Sequence, residues 1–250
     1  MFPDRLASDP LVGTWVSLSD PAVAEMTAPG FDFVMLDTEH APNDTETIAD
    51  GIRAVEAADG DAVPLARALD NDLGAIKRLL DLGLAGVMVP MVETPEEAAA
   101  AVEAAKYPPE GSRGVAGTRA SNYGRDLADY VERANDETAL LVQIENERGV
   151  SNAEAIAATD GVDALFVGPA DLSANLGVFG EFEGERFREA VESVLAAGAA
   201  TDTPVGTLAT TDAGIERYTS WGFDFLIAGT DAGHLQRGAA SMRERARENL

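Results

Sequence analysis

The chain has 250 residues, of which 46% are hydrophobic and none is cysteine; this length suits one large α/β barrel or two small domains. The formal net charge of −26 opposes binding to a nucleic-acid backbone or to an anionic membrane. No apolar run approaches the roughly 18 residues of a membrane span, and the first ten residues lack the basic and apolar regions of a signal peptide. We therefore expect a cytoplasmic protein without disulfide bonds or thiolate metal sites.

The acidic residues are spread along the predicted helices instead of forming one tail, whereas lysine occurs only as Lys77 and Lys106. Molar salt screens the repulsion between like charges, so this pattern predicts a protein adapted to high salt. An ordinary acidic protein is the alternative.

Short apolar segments recur along the chain and predict strands that are buried on both faces. They lie at 12–18, 31–37, 62–68, 85–91, 139–145, 164–170, 204–209 and 223–229. Helical patterns lie between most of them, and several begin at Thr, Asn or Asp and end at Gly, as capped helices do. These helices are predicted at 43–59, 71–83, 94–106, 185–199 and 211–222.

The alternation of strands and helices predicts an α/β fold, a single (β/α)₈ TIM barrel over residues 1–250. Right-handed crossovers would place the carboxyl ends of all eight strands on one face. A doubly wound sheet is the alternative, but the turn SLSDPAVAE (17–25) has no glycine-rich dinucleotide fingerprint. The longest irregular stretch, 107–124, is long enough to form an active-site loop. In it, Arg119 and Asn122 are candidates for binding a distal carboxylate or hydroxyl groups, and a purely structural role is the alternative for both.

Two carboxylates stand at adjacent predicted strand ends. Glu145 ends the fifth apolar segment, and Asp171 follows the sixth. Charge at such positions is costly unless it is paired or bound to something. Together the two residues are predicted to hold a divalent cation through oxygen, with water and substrate at the remaining positions, as magnesium or manganese prefers.

Two further polar residues are candidates for catalysis. His40 follows the second strand beside Asp37 and Glu39, and nearby carboxylates would tune it as a general base. A structural histidine that bonds to its neighbours is the alternative for His40. Arg67 lies within the third strand, where its planar fork would suit a carboxylate or an enolate oxygen. A structural ion pair with Glu39 or Glu145 is the alternative for Arg67.

Other chemistries are excluded by what the sequence lacks. Lys77 lies in the middle of a predicted helix and Lys106 at a helix end, so no lysine is placed on a strand for a Schiff-base aldolase. The absence of P-loop, HExxH and GxSxG motifs argues against phosphoryl transfer, zinc proteolysis and α/β-hydrolase chemistry. His234 has no comparable polar neighbours in the sequence, and we expect no catalytic role for it.

Three motifs in order, DTEHAP (37–42), QIE (143–145) and GPADLS (168–173), resemble the HpcH/HpaI-type aldolases, which include 4-hydroxy-2-oxoheptanedioate and 2-keto-3-deoxyglucarate aldolases. The resemblance covers nearly the whole chain. It implies a barrel of the phosphoenolpyruvate/pyruvate-binding type and a class II aldolase. Such an enzyme cleaves a 4-hydroxy-2-oxo acid or a 2-keto-3-deoxy sugar acid to pyruvate and an aldehyde, through an enolate held on Mg²⁺, Mn²⁺ or Co²⁺.

The resemblance also implies roles for single residues. Glu145 and Asp171 would be the metal ligands, and Arg67 would stabilise the enolate. His40 would be the base, paired with Asp81, which a neighbouring subunit can supply in this family.

Substrate contacts and assembly are implied in the same way. Gln143 and the backbone around Ala170 and Asp171 would hold the pyruvate carboxylate, and Leu208 would lie near the aldehyde portion. The protein would be a homo-hexamer, a trimer of dimers, with its last helix exchanged between subunits. Alternatives are a citramalyl- or malyl-type acyl-coenzyme A lyase, a 2-keto-3-deoxy-acid dehydratase or decarboxylase, and a non-catalytic metabolite-binding barrel.

Overall fold

The structure, a computed structural model that describes all 250 residues, contains a closed barrel of eight parallel strands in chain order. The strands are β1 (Val12–Val16), β2 (Phe33–Asp37), β3 (Val63–Arg67), β4 (Gly86–Val89), β5 (Ala139–Ile144), β6 (Ala164–Val167), β7 (Val205–Ala209) and β8 (Phe225–Thr230). Each overlaps its predicted segment. Because β1 pairs with both β2 and β8, the sheet closes, and the predicted TIM barrel is confirmed over the doubly wound alternative.

A short 3₁₀ helix covers Arg119–Gly124, and twelve α-helices surround the strands. They are α1 (Phe2–Ser8), α2 (Pro21–Thr27), α3 (Thr45–Ala57), α4 (Leu73–Leu80), α5 (Pro95–Ala105), α6 (Leu127–Glu137), α7 (Glu147–Ser151), α8 (Ala153–Ala157), α9 (Pro169–Asn175), α10 (Glu185–Thr201), α11 (Asp212–Trp221) and α12 (Asp231–Asn249). The five predicted helices correspond to α3, α4, α5, α10 and α11. Side chains cap four of these at the amino end: Asp44, Asp72, Thr94 and Thr211 each accept a backbone N–H of the first turn. No helix has an apolar stretch long enough to cross a bilayer.

Alternate residues of each strand face the barrel interior, because successive side chains in a strand point to opposite faces. The interior is filled mainly by large apolar side chains from seven strands, among them Trp15, Phe33, Met35, Leu65, Met88, Leu141, Phe166, Phe225 and Ile227. The opposite faces of the strands pack against the helices in a second, larger cluster. The inward alternation continues to Asp37, Arg67 and Gln143, so these three polar side chains lie above the apolar layers, at the carboxyl end of the barrel.

The amino end of the barrel is covered by α1. Phe2 and Leu6 are buried there, and the Phe2 ring packs edge-on against Phe33 with the ring centroids 5.7 Å apart. A cavity beside Phe2 is lined by residues from the start of β3, including Val63, and from the turn that precedes β4. The carboxyl end of the barrel is therefore the open one.

The irregular segment 107–124 lies at the covered end. Ala120 lines the cavity beside Phe2, and its N–H donates to the backbone oxygen of Asp81 at 3.1 Å. Arg119 pairs with Glu56 and donates to the backbone oxygen of Leu82 at 2.7 Å. The prediction of an active-site loop is therefore wrong for the rim of this chain's own barrel, because a segment between a helix and the next strand returns to the amino end.

Candidate active site

Arg67 is held on three sides at the carboxyl end of β3. It stands opposite Asp37 in the β2–β3 register; its Nε donates to Asp37 Oδ1 at 2.9 Å and its Nη2 to Asp37 Oδ2 at 2.8 Å. Nη1 lies 2.5 Å from Glu39 Oε2, and the guanidinium carbon lies 4.6 Å from the centre of the Trp15 ring. The pair with Glu39 matches the structural alternative, whereas the pair with Asp37 was not predicted. A guanidinium has five N–H groups, so these contacts leave donors free for a ligand.

Glu39 lies between Arg67 and His40. Burial raises the pKa of Glu39, and the positive charges of Arg67 and His40 oppose this shift. Glu39 Oε1 is 3.9 Å from His40 Nε2. The His40 side chain is 67% exposed, so a ligand at the rim can reach its ring.

Glu145 is a buried carboxylate without a cationic partner. It is 2% exposed, and no Arg, Lys or His lies within ion-pair distance. Its Oε1 accepts the N–H of Met91 at 2.8 Å, and its Oε2 accepts a bond from Gln143 Nε2 at 2.5 Å. Burial raises the pKa of Glu145 to about 7; the Met91 N–H opposes this, and the charges of Asp171 and Glu39 add to it. The anion is therefore poorly compensated by the protein alone.

Asp171 lies near the Glu145 carboxylate and belongs to the first turn of α9. This helix follows β6 directly after Gly168. A Cβ atom added at Gly168 would lie 2.6 Å from Glu145 Oε2 and 2.8 Å from Gln143 Nε2, so a side chain there would displace the ends of both. Asn175, one helical turn after Asp171, donates to the backbone oxygens of Glu145 at 3.1 Å and Asp171 at 3.0 Å. Asn175 was missed in the sequence, although its i+4 spacing from Asp171 places both on one helix face.

These groups suit a divalent cation. The charges of Asp37 and Asp171 act on Glu39, and those of Asp171 and Glu39 act on Glu145, so four carboxylates lie near one another; only Asp37 and Glu39 pair with Arg67. The buried Gln143 Oε1 has no hydrogen-bond partner. The atoms that could bind a cation here are all oxygens, the ligands that magnesium and manganese prefer. No group of three or more His, Cys, Asp or Glu side chains is arranged to hold a metal. A cation here would therefore take its remaining ligands from water and substrate.

The other predicted substrate contacts also lie towards this end of the barrel. Ala170 is exposed in the first turn of α9; the preceding Gly168 has no side chain to cap the free N–H groups there. Leu208 on β7 is half-buried and packs against the interior apolar cluster. Gln143 is 2% exposed and uses one N–H on Glu145, which leaves the second N–H for another acceptor.

Asp81 is not brought to His40 within one chain. It caps the carboxyl end of α4, at the covered end of the barrel, and its Oδ1 accepts a bond from Arg113 Nη2 at 3.0 Å. Arg113 is 1% exposed, and its guanidinium carbon lies 4.5 Å from the centre of the Tyr107 ring. No sequence pattern indicated that a buried arginine would hold Asp81.

The remaining histidine and the lysines have structural contacts. His234 Nε2 lies 3.3 Å from Thr14 Oγ1, and its Nδ1 lies 2.9 Å from Arg237 Nη2. Lys106 is 4% exposed and donates to the backbone oxygens of residues 135 and 138. Lys77 lies on α4, so no strand carries a lysine, as predicted.

Comparison with known proteins identifies relatives over almost the full length of the chain. The family described as HpcH/HpaI aldolase/citrate lyase matches residues 11–237. A 5-keto-4-deoxy-D-glucarate aldolase of Shigella dysenteriae serotype 1 is 40% identical over 239 residues, which are 93% of either chain. An HpcH/HpaI aldolase/citrate lyase family protein of Burkholderia cenocepacia J2315 has a TM-score of 0.95 at 39% identity, covering 98% of both chains. An HpcH/HpaI aldolase of Desulfitobacterium hafniense DCB-2 has a TM-score of 0.88 at 31% identity, covering 98% of this chain and 96% of the other.

Proposed function

The chain belongs to the HpcH/HpaI aldolase/citrate lyase family, and on that basis we propose that the polar rim of its barrel cleaves a 4-hydroxy-2-oxo acid to pyruvate and an aldehyde. The chain is an aldolase, a carbon–carbon lyase. The acyl-coenzyme A lyase and the non-catalytic barrel are not favoured, because relatives that are 40% identical over 93% of the chain are aldolases. The dehydratase or decarboxylase alternative has no observation in its favour.

The substrate class that we propose is the one named for these relatives, a 5-keto-4-deoxy sugar diacid. In such a six-carbon molecule the keto group adjoins one carboxylate, and a methylene group separates it from a carbon that bears a hydroxyl. Breaking the bond between the methylene and hydroxyl-bearing carbons leaves the electron pair on the methylene carbon as an enolate. Protonation gives pyruvate, and the other three carbons leave as a hydroxyaldehyde acid.

The residues of the rim have complementary tasks in this cleavage. Glu145 and Asp171 would hold a divalent cation, Mg²⁺, Mn²⁺ or Co²⁺, which when bound supplies a Lewis acid for the keto oxygen. Arg67, fixed by Asp37, directs its free N–H groups at the charge that develops on that oxygen. His40 takes the proton of the hydroxyl group as the bond breaks, and Glu39 Oε1 lies 3.9 Å from its Nε2.

The pyruvate portion also needs groups that orient it. The second N–H of Gln143 and the free backbone N–H groups of Ala170 and Asp171 suit its carboxylate. Leu208 borders the site on the β7 side and would limit the space for the aldehyde portion. These assignments rest on the observation that Glu145 is buried, uncompensated and next to Asp171.

We also propose that the protein works as a homo-oligomer, a hexamer by analogy with the family, in the cytoplasm of an organism that accumulates salt. Asp81 of a neighbouring subunit would then complete the His40 site, because within one chain it lies at the other end of the barrel. The last helix, α12, is exposed along most of its length and suits exchange between subunits.

The proposal is tested by following the methyl proton signal of pyruvate in deuterated buffer with molar KCl, with Mg²⁺ and then with a chelator. We expect the signal to disappear only when the cation is present. The variants Glu145→Gln, Asp171→Asn and His40→Ala should each keep the signal. Asp160→Asn is the matched control, since it removes an exposed carboxylate on the loop before β6. Correctly folded, cation-loaded protein that leaves the signal unchanged would overturn the proposed chemistry.

A further inference from the structure

Met91 has a backbone conformation that its side chain does not explain. Its φ is +53°, in the left-handed region, where only four non-glycine residues of this chain lie. Asn and Asp visit this region more readily than methionine does, since their short polar side chains can bond locally. The Met91 side chain is 46% exposed, so burial of that side chain does not compensate for the strain.

The segment around Met91 is fixed by bonds from the neighbouring strand end. The N–H of Val92 donates to the backbone oxygen of Gln143 at 3.2 Å. The next residue, Glu93, accepts bonds from Asn146 Nδ2 at 2.9 Å on its side chain and from Asn152 Nδ2 at 2.8 Å on its backbone oxygen. Strained backbone persists where the surroundings over-determine it, and such strain clusters at functional sites.

The strained conformation directs one group into the site. The N–H of Met91 lies 2.8 Å from Glu145 Oε1, while Gln143 Nε2 bonds Glu145 Oε2. The plane of the carboxylate is thereby fixed from both sides. Two donors on separate oxygens still leave lone pairs on each oxygen for a cation.

We propose that Met91 is a positioning residue, whose strained backbone holds the Glu145 carboxylate in the orientation that a divalent cation requires. The proposal rests on the proposed function in taking Glu145 as a cation ligand. Partners of metal ligands typically change metal affinity by about 10- to 100-fold when they are lost. The side chain of Met91 has no part in this role, so the requirement falls on the backbone conformation alone.

Substitutions of Met91 distinguish the effect of its backbone conformation on cation affinity from the effect of its side chain. Leucine and isoleucine are isomers, but isoleucine is branched at Cβ and opposes a positive φ much more strongly. Met91→Leu and Met91→Gly should bind Mn²⁺ as the unchanged protein does, because both keep the N–H in place. Met91→Ile should bind Mn²⁺ about 10-fold or more weakly in calorimetric titration, because residue 91 leaves the left-handed region and its N–H leaves Glu145.

Amide exchange tests the same contact without metal. The chain has six methionines, so ¹⁵N-methionine labelling gives a short list of signals. In metal-free protein the Met91 amide should exchange slowly, and Glu145→Ala should speed that exchange while leaving the buried Met35 and Met88 amides protected.

The two experiments separate the inference from the proposed function. Fast exchange of the Met91 amide in the unchanged protein, equal Mn²⁺ affinity of the Met91→Ile and Met91→Leu variants, or a loss in Met91→Gly as large as in Met91→Ile would overturn the inference. Slow exchange that depends on Glu145, in a protein that binds no divalent cation, would support the hydrogen bond from Met91 to Glu145. It would also refute the cation role of Glu145 in the proposed function.

Discussion

Asp37 and Arg67 stand opposite each other on neighbouring strands and are joined by two hydrogen bonds, of 2.9 and 2.8 Å. Both are almost fully buried, and Trp15 supports the face of the guanidinium. Two parallel bonds fix the plane of the fork as well as its position. A donor that is already oriented needs no rearrangement when charge develops on a substrate oxygen.

Arg67→Lys should therefore reduce kcat for aldol cleavage by about 10²- to 10³-fold, although the positive charge is kept. An ammonium group can reach one oxygen of Asp37 but cannot bond both and still present a second, fixed donor. Steady-state kinetics would measure the loss. The control is Arg133→Lys on α6, where the arginine is half-exposed and pairs with Glu137. Near-normal turnover of the Arg67→Lys variant would show that the planar guanidinium is not required for cleavage.

Cation binding should stabilise the folded protein. At 100 times its dissociation constant, a cation that binds only the folded state adds about 2.7 kcal/mol to the free energy of unfolding. Glu145→Gln should remove most of this increase. The same variant should be at least as stable as the unchanged protein without metal, because it removes a buried charge that has no cationic partner.

Urea unfolding with Mg²⁺ and with a chelator would measure both effects. An undiminished response to Mg²⁺ in the Glu145→Gln variant would place the cation elsewhere.

Lys106→Met should lower the free energy of unfolding by about 3 kcal/mol. The ammonium group is buried, donates to two backbone oxygens and lies 3.9 Å from Asp163. Removing it leaves those oxygens unpaired and the partly buried carboxylate without its only cation. Lys77→Met, which changes the chain's other lysine on α4, should stay within about 0.5 kcal/mol of the unchanged protein. Equal stability of the two variants in urea titrations would contradict this account.

Salt should raise the melting temperature. The net charge of −26 is distributed over the surface, and only a minority of the acidic groups have a basic partner. Screening by molar KCl reduces the repulsion among the others. Circular dichroism melts in dilute buffer and in molar KCl would measure the difference, with the low-salt protein expected to lose structure first. An unchanged melting temperature would refute adaptation to high salt.

The barrel could be predicted because its strands are apolar on both faces and its helices carry capping residues. The positions of the segments that connect each helix to the next strand could not be predicted in the same way. Segment 107–124 has the length and polarity of an active-site loop, yet its position after a helix sends it to the amino end. Sequence spacing carried no sign that Arg119 would pair with Glu56 there.

Within the site, the prediction identified single residues better than it identified their partners. Glu145 and Asp171 were found from their positions at strand ends, and the structure places both at one end of the barrel. The pairing of Arg67 with Asp37 depends on the register between β2 and β3, which a sequence pattern does not specify. The strain at Met91 had no signal at all, because methionine is not a residue that indicates a left-handed turn.

Gly168 keeps the space beside the Glu145 carboxylate free of a side chain. An alanine at this position would place its methyl group within 2.6 Å of Glu145 Oε2, so the carboxylate would have to move even though every catalytic side chain was still present. A gene survey that scored only the acidic, histidine and arginine positions would count such a chain as competent. Scoring the glycine as well would mark the chains in which the carboxylate at the position of Glu145 has to shift.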